Sequence, residues 1–119
     1  MQENSDPSPP DPGTGAADAT LGGYFAEHSR PPAFEGVDGL PYTVSIEIEK
    51  TGDLLKPFAG YLVFPRWAET GLGIIGHLET EILWEDRGST EVREHAQALS
   101  LLAVQNLLTA AIQRNAEEH

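Results

Sequence analysis

After Gly88 the chain contains no Pro or Gly, and its apolar residues recur at spacings of three and four. That period predicts a helix over 90–114, built mostly from good helix formers. Ser89 or Thr90 suits its cap, Glu91 and Glu94 its first turn, and Arg114 its last. Two apolar stripes run along it. Val92, Ala96, Leu99, Ala103 and Leu107 make the first, and Leu101, Val104, Leu108, Ala111 and Ile112 make the second. A helix apolar over most of its circumference is buried on more than one side. The first stripe is expected to face a sheet. The second is covered either by loops of the same chain or by a second subunit, so its five residues are the candidate interface of a homodimer.

Upstream the period changes to two. Tyr42, Val44, Ile46 and Ile48 alternate with Thr43, Ser45, Glu47 and Glu49. The pattern predicts a strand over 42–50 with one apolar face and one wet face, as in an antiparallel sheet covered on one side. Asp38-Gly39 before it is hairpin-turn chemistry, and 33–37 is short and extended. Thr51-Gly52-Asp53 turns the chain into a second strand over 58–64, apolar on both faces as a central strand is. Pro65 stops its ladder.

Residues 72–85 fit both periods. As a strand they place Ile74, Leu78, Ile82 and Trp84 on one face and His77, Glu79 and Glu81 on the other. As a helix they show a stripe of Ile74, Ile75, Leu78, Ile82 and Leu83. Gly73, Gly76 and Thr80 favour the strand. Near the N-terminus Leu21, Tyr24, Phe25 and His28 fall at helical spacing, weakened by Gly22 and Gly23 and ended by Pro31-Pro32. Residues 1–19 have almost no large apolar side chain and are expected to be disordered.

Together these elements predict an α+β fold: a three- or four-stranded antiparallel meander with one long C-terminal helix packed across one face. Residues 1–20 form a Pro/Gly/Asp-rich tail and 21–119 a single domain. A nine-residue strand spans about 30 Å and a 25-residue helix about 37 Å. The helix therefore overhangs the sheet near 108–112, which adds weight to a second subunit.

Composition narrows the function classes. The 119 residues suffice for one modest domain. Without Cys there is no disulfide and no thiolate metal site. No apolar run approaches the roughly 20 residues of a membrane span. The first twenty residues lack a signal-peptide pattern, so a cytoplasmic protein is expected. Nineteen Asp and Glu stand against seven Lys and Arg, a net charge of −12, and the only lysines are Lys50 and Lys56. Phosphate backbones and anionic membranes repel such a chain, so neither nucleic acid nor membrane is an expected partner. Three sources of the acidity stand: ordinary solubility, halophilic adaptation to a salty cytoplasm, and mimicry of a nucleic acid toward a basic partner.

Candidate chemistry is sparse. Gly71-Leu72-Gly73-Ile74-Ile75-Gly76 has the glycine spacing of a dinucleotide loop. That motif works by joining a strand to a helix, whereas here a turn and bulge before the third strand account for the glycines. His77, Glu79 and Glu81 share the wet face with Glu47, Glu49 and Tyr61. Strand geometry separates Glu47 from Glu79 by about 10 Å and His77 from Glu79 by about 6.8 Å. A solvated acidic face is therefore expected rather than a metal or acid/base site. Glu91 and His95 lie one turn apart as a surface pair. No Ser sits in a nucleophile elbow. Arg66-Trp67 either anchors a partner or closes the end of the core. No catalytic, cofactor-binding or metal-binding residue is assigned, and no cofactor is expected.

The element order and Gly88-Ser89 resemble double-stranded RNA-binding domains, whose lysines at the last helix are replaced here by Thr90, Glu91 and Val92. Tyr42-Thr43-Val44-Ser45-Ile46-Glu47 and a strand ending in Pro65 resemble HicB-type antitoxins, whose third segment is much shorter. Each resemblance covers about half of the ordered chain, and neither assigns a family. The expected function is a small acidic non-enzymatic domain acting through self-association or a protein partner. An antitoxin-like or nucleic-acid-mimic protein is the alternative. A metal-dependent or acid/base enzyme using the wet face comes third.

Overall fold

The computed structural model describes residues 19–118. The expected disordered tail lies, apart from Ala19, outside the described residues. In chain order the elements are α1 (Leu21–His28), β1 (Phe34–Glu35), β2 (Pro41–Tyr42), β3 (Ser45–Lys50), β4 (Phe58–Trp67), β5 (Ile74–Glu79), β6 (Trp84–Asp86), α2 (Ser89–Gln97) and α3 (Leu101–Glu117). The fold is α+β, with an open, wholly antiparallel sheet and C-terminal helices on one face. β4 is central. β2 and β3 lie along one side of it, β5 and β6 along the other, and β1 pairs beyond β2.

Six strands stand where three or four were expected, because two rows of the sheet are interrupted. β2 and β3 keep one register against β4, with Tyr42 opposite Arg66 and Ser45 opposite Val63. Between them the Thr43 N–H donates to the Pro65 carbonyl at 3.1 Å. Proline has no N–H to return, so the ladder lapses there. The second interruption separates β5 from β6. Val63 and Gly60 are three residues apart, whereas their partners Glu79 and Trp84 are five apart, so 80–83 bow out. The Thr80 hydroxyl fills the gap. It accepts the Leu62 N–H at 3.0 Å and donates to the Glu81 carbonyl at 2.7 Å. Of the two periods in 72–85, the strand is the one that forms.

The expected single helix over 90–114 is two helices. Gly88, rather than Ser89 or Thr90, is the N-cap of α2. Ser100 then turns extended and caps α3, its Oγ accepting the Ala103 N–H at 3.0 Å. The start of α1 holds the break open. Leu21 N–H donates to the Leu99 carbonyl at 2.8 Å, and Thr20 bridges Ser100. Thr20 meanwhile caps α1 through the Gly23 N–H. Carbonyls released by one helix thus find donors in another, and the break costs little hydrogen bonding.

The break resets the helical phase, and this corrects the assignment of the stripes. Val92 and Ala96 are buried, as expected. α2 lies so close to β4 that a Cβ on Gly60 would sit 2.3 Å from Val92 Cγ1. Beyond Ser100 the faces exchange. Val104, Leu108, Ala111 and Ile112, expected at an interface, are core residues beside Leu21, Tyr42, Val44, Leu62, Phe64 and Leu78. Leu101 is half-buried, and so are Ala103 and Leu107 of the stripe assigned to the sheet. The chain itself covers the second stripe, and the exposed leucine of α3 is Leu102.

The open outer face as candidate functional site

The helices cover one face of the sheet, where Leu62 and Phe64 of β4 enter the core. The alternate residues Tyr61, Val63, Pro65 and Trp67 form a half-buried column on the opposite face. Both neighbouring rows add carboxylates to that column. Glu47 is level with Tyr61, and Ser45 and Glu79 flank Val63. Glu49 and Glu85 flank Ala59, and His77 is level with Pro65. Trp67 follows an irregularity in the β4–β5 pairing, and its indole N–H donates to Thr43 Oγ1 at 2.9 Å.

The electrostatics of the face are read at its centre. Partial burial raises the Tyr61 hydroxyl above its ordinary pKa, and the nearby charges of Glu49, Glu79 and Glu47 raise it further. Ser45 Oγ donates to Glu47 Oε2 at 2.6 Å and holds that carboxylate in place. His77 Nε2 stands 3.4 Å from Glu79 Oε2, with both side chains more than half exposed. The structure therefore brings His77, Glu79, Glu47, Glu49 and Tyr61 onto one surface. Glu81 belongs to the bowed segment between β5 and β6. Among the described residues no group of three or more His, Asp or Glu is placed to hold a metal ion.

The other sequence candidates have structural places. Gly71 has a φ of 76° and donates its N–H to the Ala68 carbonyl, so the spaced glycines make the β4–β5 turn. His95 pairs with Asp86 at 3.0 Å. The Arg87 backbone N–H holds the Asp86 carboxyl below its usual range, and His95 assists. Arg66 Nε donates to the hydroxyl of buried Tyr42, which donates to Asp38 Oδ2 at 2.7 Å. Arg66 is thereby tied into the end of the core, while Trp67 stays on the outer face.

Two features were missed by sequence reasoning. Leu54, Leu55 and Leu72 are each at least 80% exposed, at the tips of the β3–β4 and β4–β5 turns. A groove of about 530 Å³, lined in part by Phe25, Pro31, Val44, Ile46, Arg93 and Gln97, opens beside the β2–β3 junction. Its signal was Pro65, which interrupts the strand opposite. Comparison of the chain with family models, with curated proteins and with solved structures gives no match. Among the described residues no helix is long and apolar enough to cross a membrane.

Proposed function

We propose that this is a small acidic, non-enzymatic binding domain of the cytoplasm that engages a protein through the open face of its sheet. The observation that supports this most is the column of Tyr61, Val63, Pro65 and Trp67, with Glu47, Glu49, Glu79 and Glu85 grouped around its Tyr61 end. Aromatic and apolar groups at the centre, ringed by polar side chains, have the anatomy of a protein interface. The net charge of −12 disfavours nucleic acid and anionic membranes as occupants. Self-association through the same face is the other form of this reading. A nucleic-acid mimic or antitoxin-like role toward a basic partner is a second reading, favoured by Glu47, Glu49, Glu79 and Glu85 on one surface.

The test is site-specific photo-cross-linking in lysate of the native host. A photoreactive residue at Val63 is expected to give discrete adducts. The same residue at exposed Gln113 on α3 is expected to give none. Adducts at twice the chain mass identify self-association, and adducts that vanish as salt rises identify a basic partner. Equal labelling from both positions, or none from Val63, removes the reading.

A further inference from the structure

Among the described residues β3 is an edge strand. It pairs there with β4 alone, through six consecutive residue pairs without a shift. Thr43 and Thr51 donate their N–H groups toward β4, to Pro65 and Pro57. The odd-numbered positions between them therefore face β4. The even-numbered ones, Val44, Ile46, Ile48 and Lys50, direct their N–H and C=O groups away from the sheet. A regular edge of this kind is a template for a further strand unless Pro, a bulge or charge blocks it. β3 has no Pro or bulge. The opposite edge differs, because the Arg114 guanidinium of α3 donates to the Glu79 carbonyl there.

Charge selects the occupant. A second copy adding to β3 crowds carboxylates on this face. With Ile46 opposite Ile46, Glu47 meets Ser45 and the two Glu47 side chains lie diagonally, and the next registers toward Lys50 set glutamates face to face. In an antiparallel two-fold pairing with Ile46 opposite Ile48, Glu47 meets Glu47. One step along, Glu47 meets Glu49. Like charges directly opposite destabilise a strand pair. A strand with Lys or Arg on that face turns the same two glutamates into favourable cross-strand partners. On the covered face the side chains of an added strand meet Ile46 and the groove beside Phe25, Pro31 and Val44. Arg93 and Gln97 on the far wall of that groove restrict the basic requirement to the outward-facing side chains.

We infer that the free edge of β3 receives an extended segment of a protein partner as an added strand, with Lys or Arg facing Glu47 and Glu49 and apolar residues facing the groove. Backbone hydrogen bonds hold the segment, and alternate side chains select it, as in other strand-addition complexes. This inference rests on the binding-domain reading and names the chemistry of the partner.

The experiment is amide hydrogen exchange by NMR on the full chain, with a short peptide alternating lysine and valine as the probe. Exchange at Ile46 and Ile48 is expected to slow by about tenfold when nine-tenths of sites are occupied, while Glu47, already in the ladder with β4, keeps its rate. A glutamate–valine peptide is expected to leave all three unchanged. N-methylating the lysine–valine peptide along one edge is expected to abolish the effect, and along the other to preserve it. Equal action by both N-methylated peptides, equal action by the glutamate peptide, or no binding overturns the inference. Slow exchange at Ile46 and Ile48 in the protein alone also overturns it. In that case dependence on protein concentration reveals a second copy, and independence reveals the chain's own N-terminal segment. Shifts at Tyr61 and Val63 without protection at the edge overturn strand addition and leave the face reading standing, whereas failure of the Val63 cross-link removes the face reading itself.

Discussion

Thr80 is a buried polar side chain in a core otherwise apolar, and its hydroxyl does the work of a missing ladder partner. Where 80–83 bow away from β4, the Leu62 N–H would face the interior unpaired. Thr80→Val keeps the shape, removes the acceptor and is expected to cost about 1–3 kcal/mol, the desolvation penalty of an orphaned buried donor. Thr80→Ser keeps the hydroxyl and is expected to recover much of that loss. Chemical denaturation of the three proteins measures both, and a Val variant as stable as the parent would show that the hydroxyl contributes nothing. From the sequence, Thr80 registers only as a β-branched residue favouring a strand. Its partner is 18 positions away and depends on a two-residue change of register, which no local pattern encodes. Tyr42 is similar: alternation places it in the core, but its hydroxyl bonds to Asp38 and Arg66 come from tertiary closure.

At the scale of elements, the alternation over 42–50 and the three-four spacing after Gly88 reported strand and helix because each pattern repeats over several residues. The pattern did not report where an element is cut. Ser100 is an ordinary residue within an apolar helical run, and it becomes a cap only because α1 occupies the Leu99 carbonyl. Ser100→Ala is expected to cost about 1 kcal/mol through loss of the bond to the Ala103 N–H, read as a lower denaturation midpoint with an unchanged slope. No change would mean that the α1 contact alone sets the break. The same cut turned the helical phase and moved Val104, Leu108, Ala111 and Ile112 from a supposed surface to the core. The packing of α2 on β4 gives a second test. Gly60→Ala drives its methyl into Val92 Cγ1, with Trp84 Cε3 at 3.3 Å, and is expected to destabilise by about 1–3 kcal/mol. In a double-mutant cycle Val92→Ala makes room for that methyl, so the double variant should be more stable than the sum of its singles. Simple additivity would place the clash elsewhere.

At the scale of the whole molecule, the acidity and the open face are one electrostatic problem. The wet face was legible in the sequence because Glu47 and Glu49 alternate with Ile46 and Ile48. Tyr61 was legible on that face too, but the column's continuation through Val63, Pro65 and Trp67 was not, because Pro65 was expected to stop the strand, whereas β4 runs on to Trp67. Carboxylates from both flanking rows lie beside that column, and their charge adds to desolvation in raising the Tyr61 hydroxyl above its ordinary range. The same repulsion acts on the compact state as a whole, since residues 21–119 hold 15 Asp and Glu against 7 Lys and Arg, −8 of the chain's net −12. Salt should relieve it, because the Debye length falls from about 8 Å at physiological ionic strength to about 3 Å at 1 M. The denaturation midpoint is therefore expected to be higher in 2 M KCl than in 0.1 M KCl. Glu49→Gln, which removes the charge that acts most on Tyr61, should raise the midpoint at low salt and shrink the rise between the two salts. It should also lower the alkaline pH at which Tyr61 ionises, followed by its absorbance. A midpoint flat or falling with KCl would mean that partner cations already neutralise the charges or that their spacing is wide enough for water alone. A salt response unchanged by Glu49→Gln would locate the repulsion away from the sheet face.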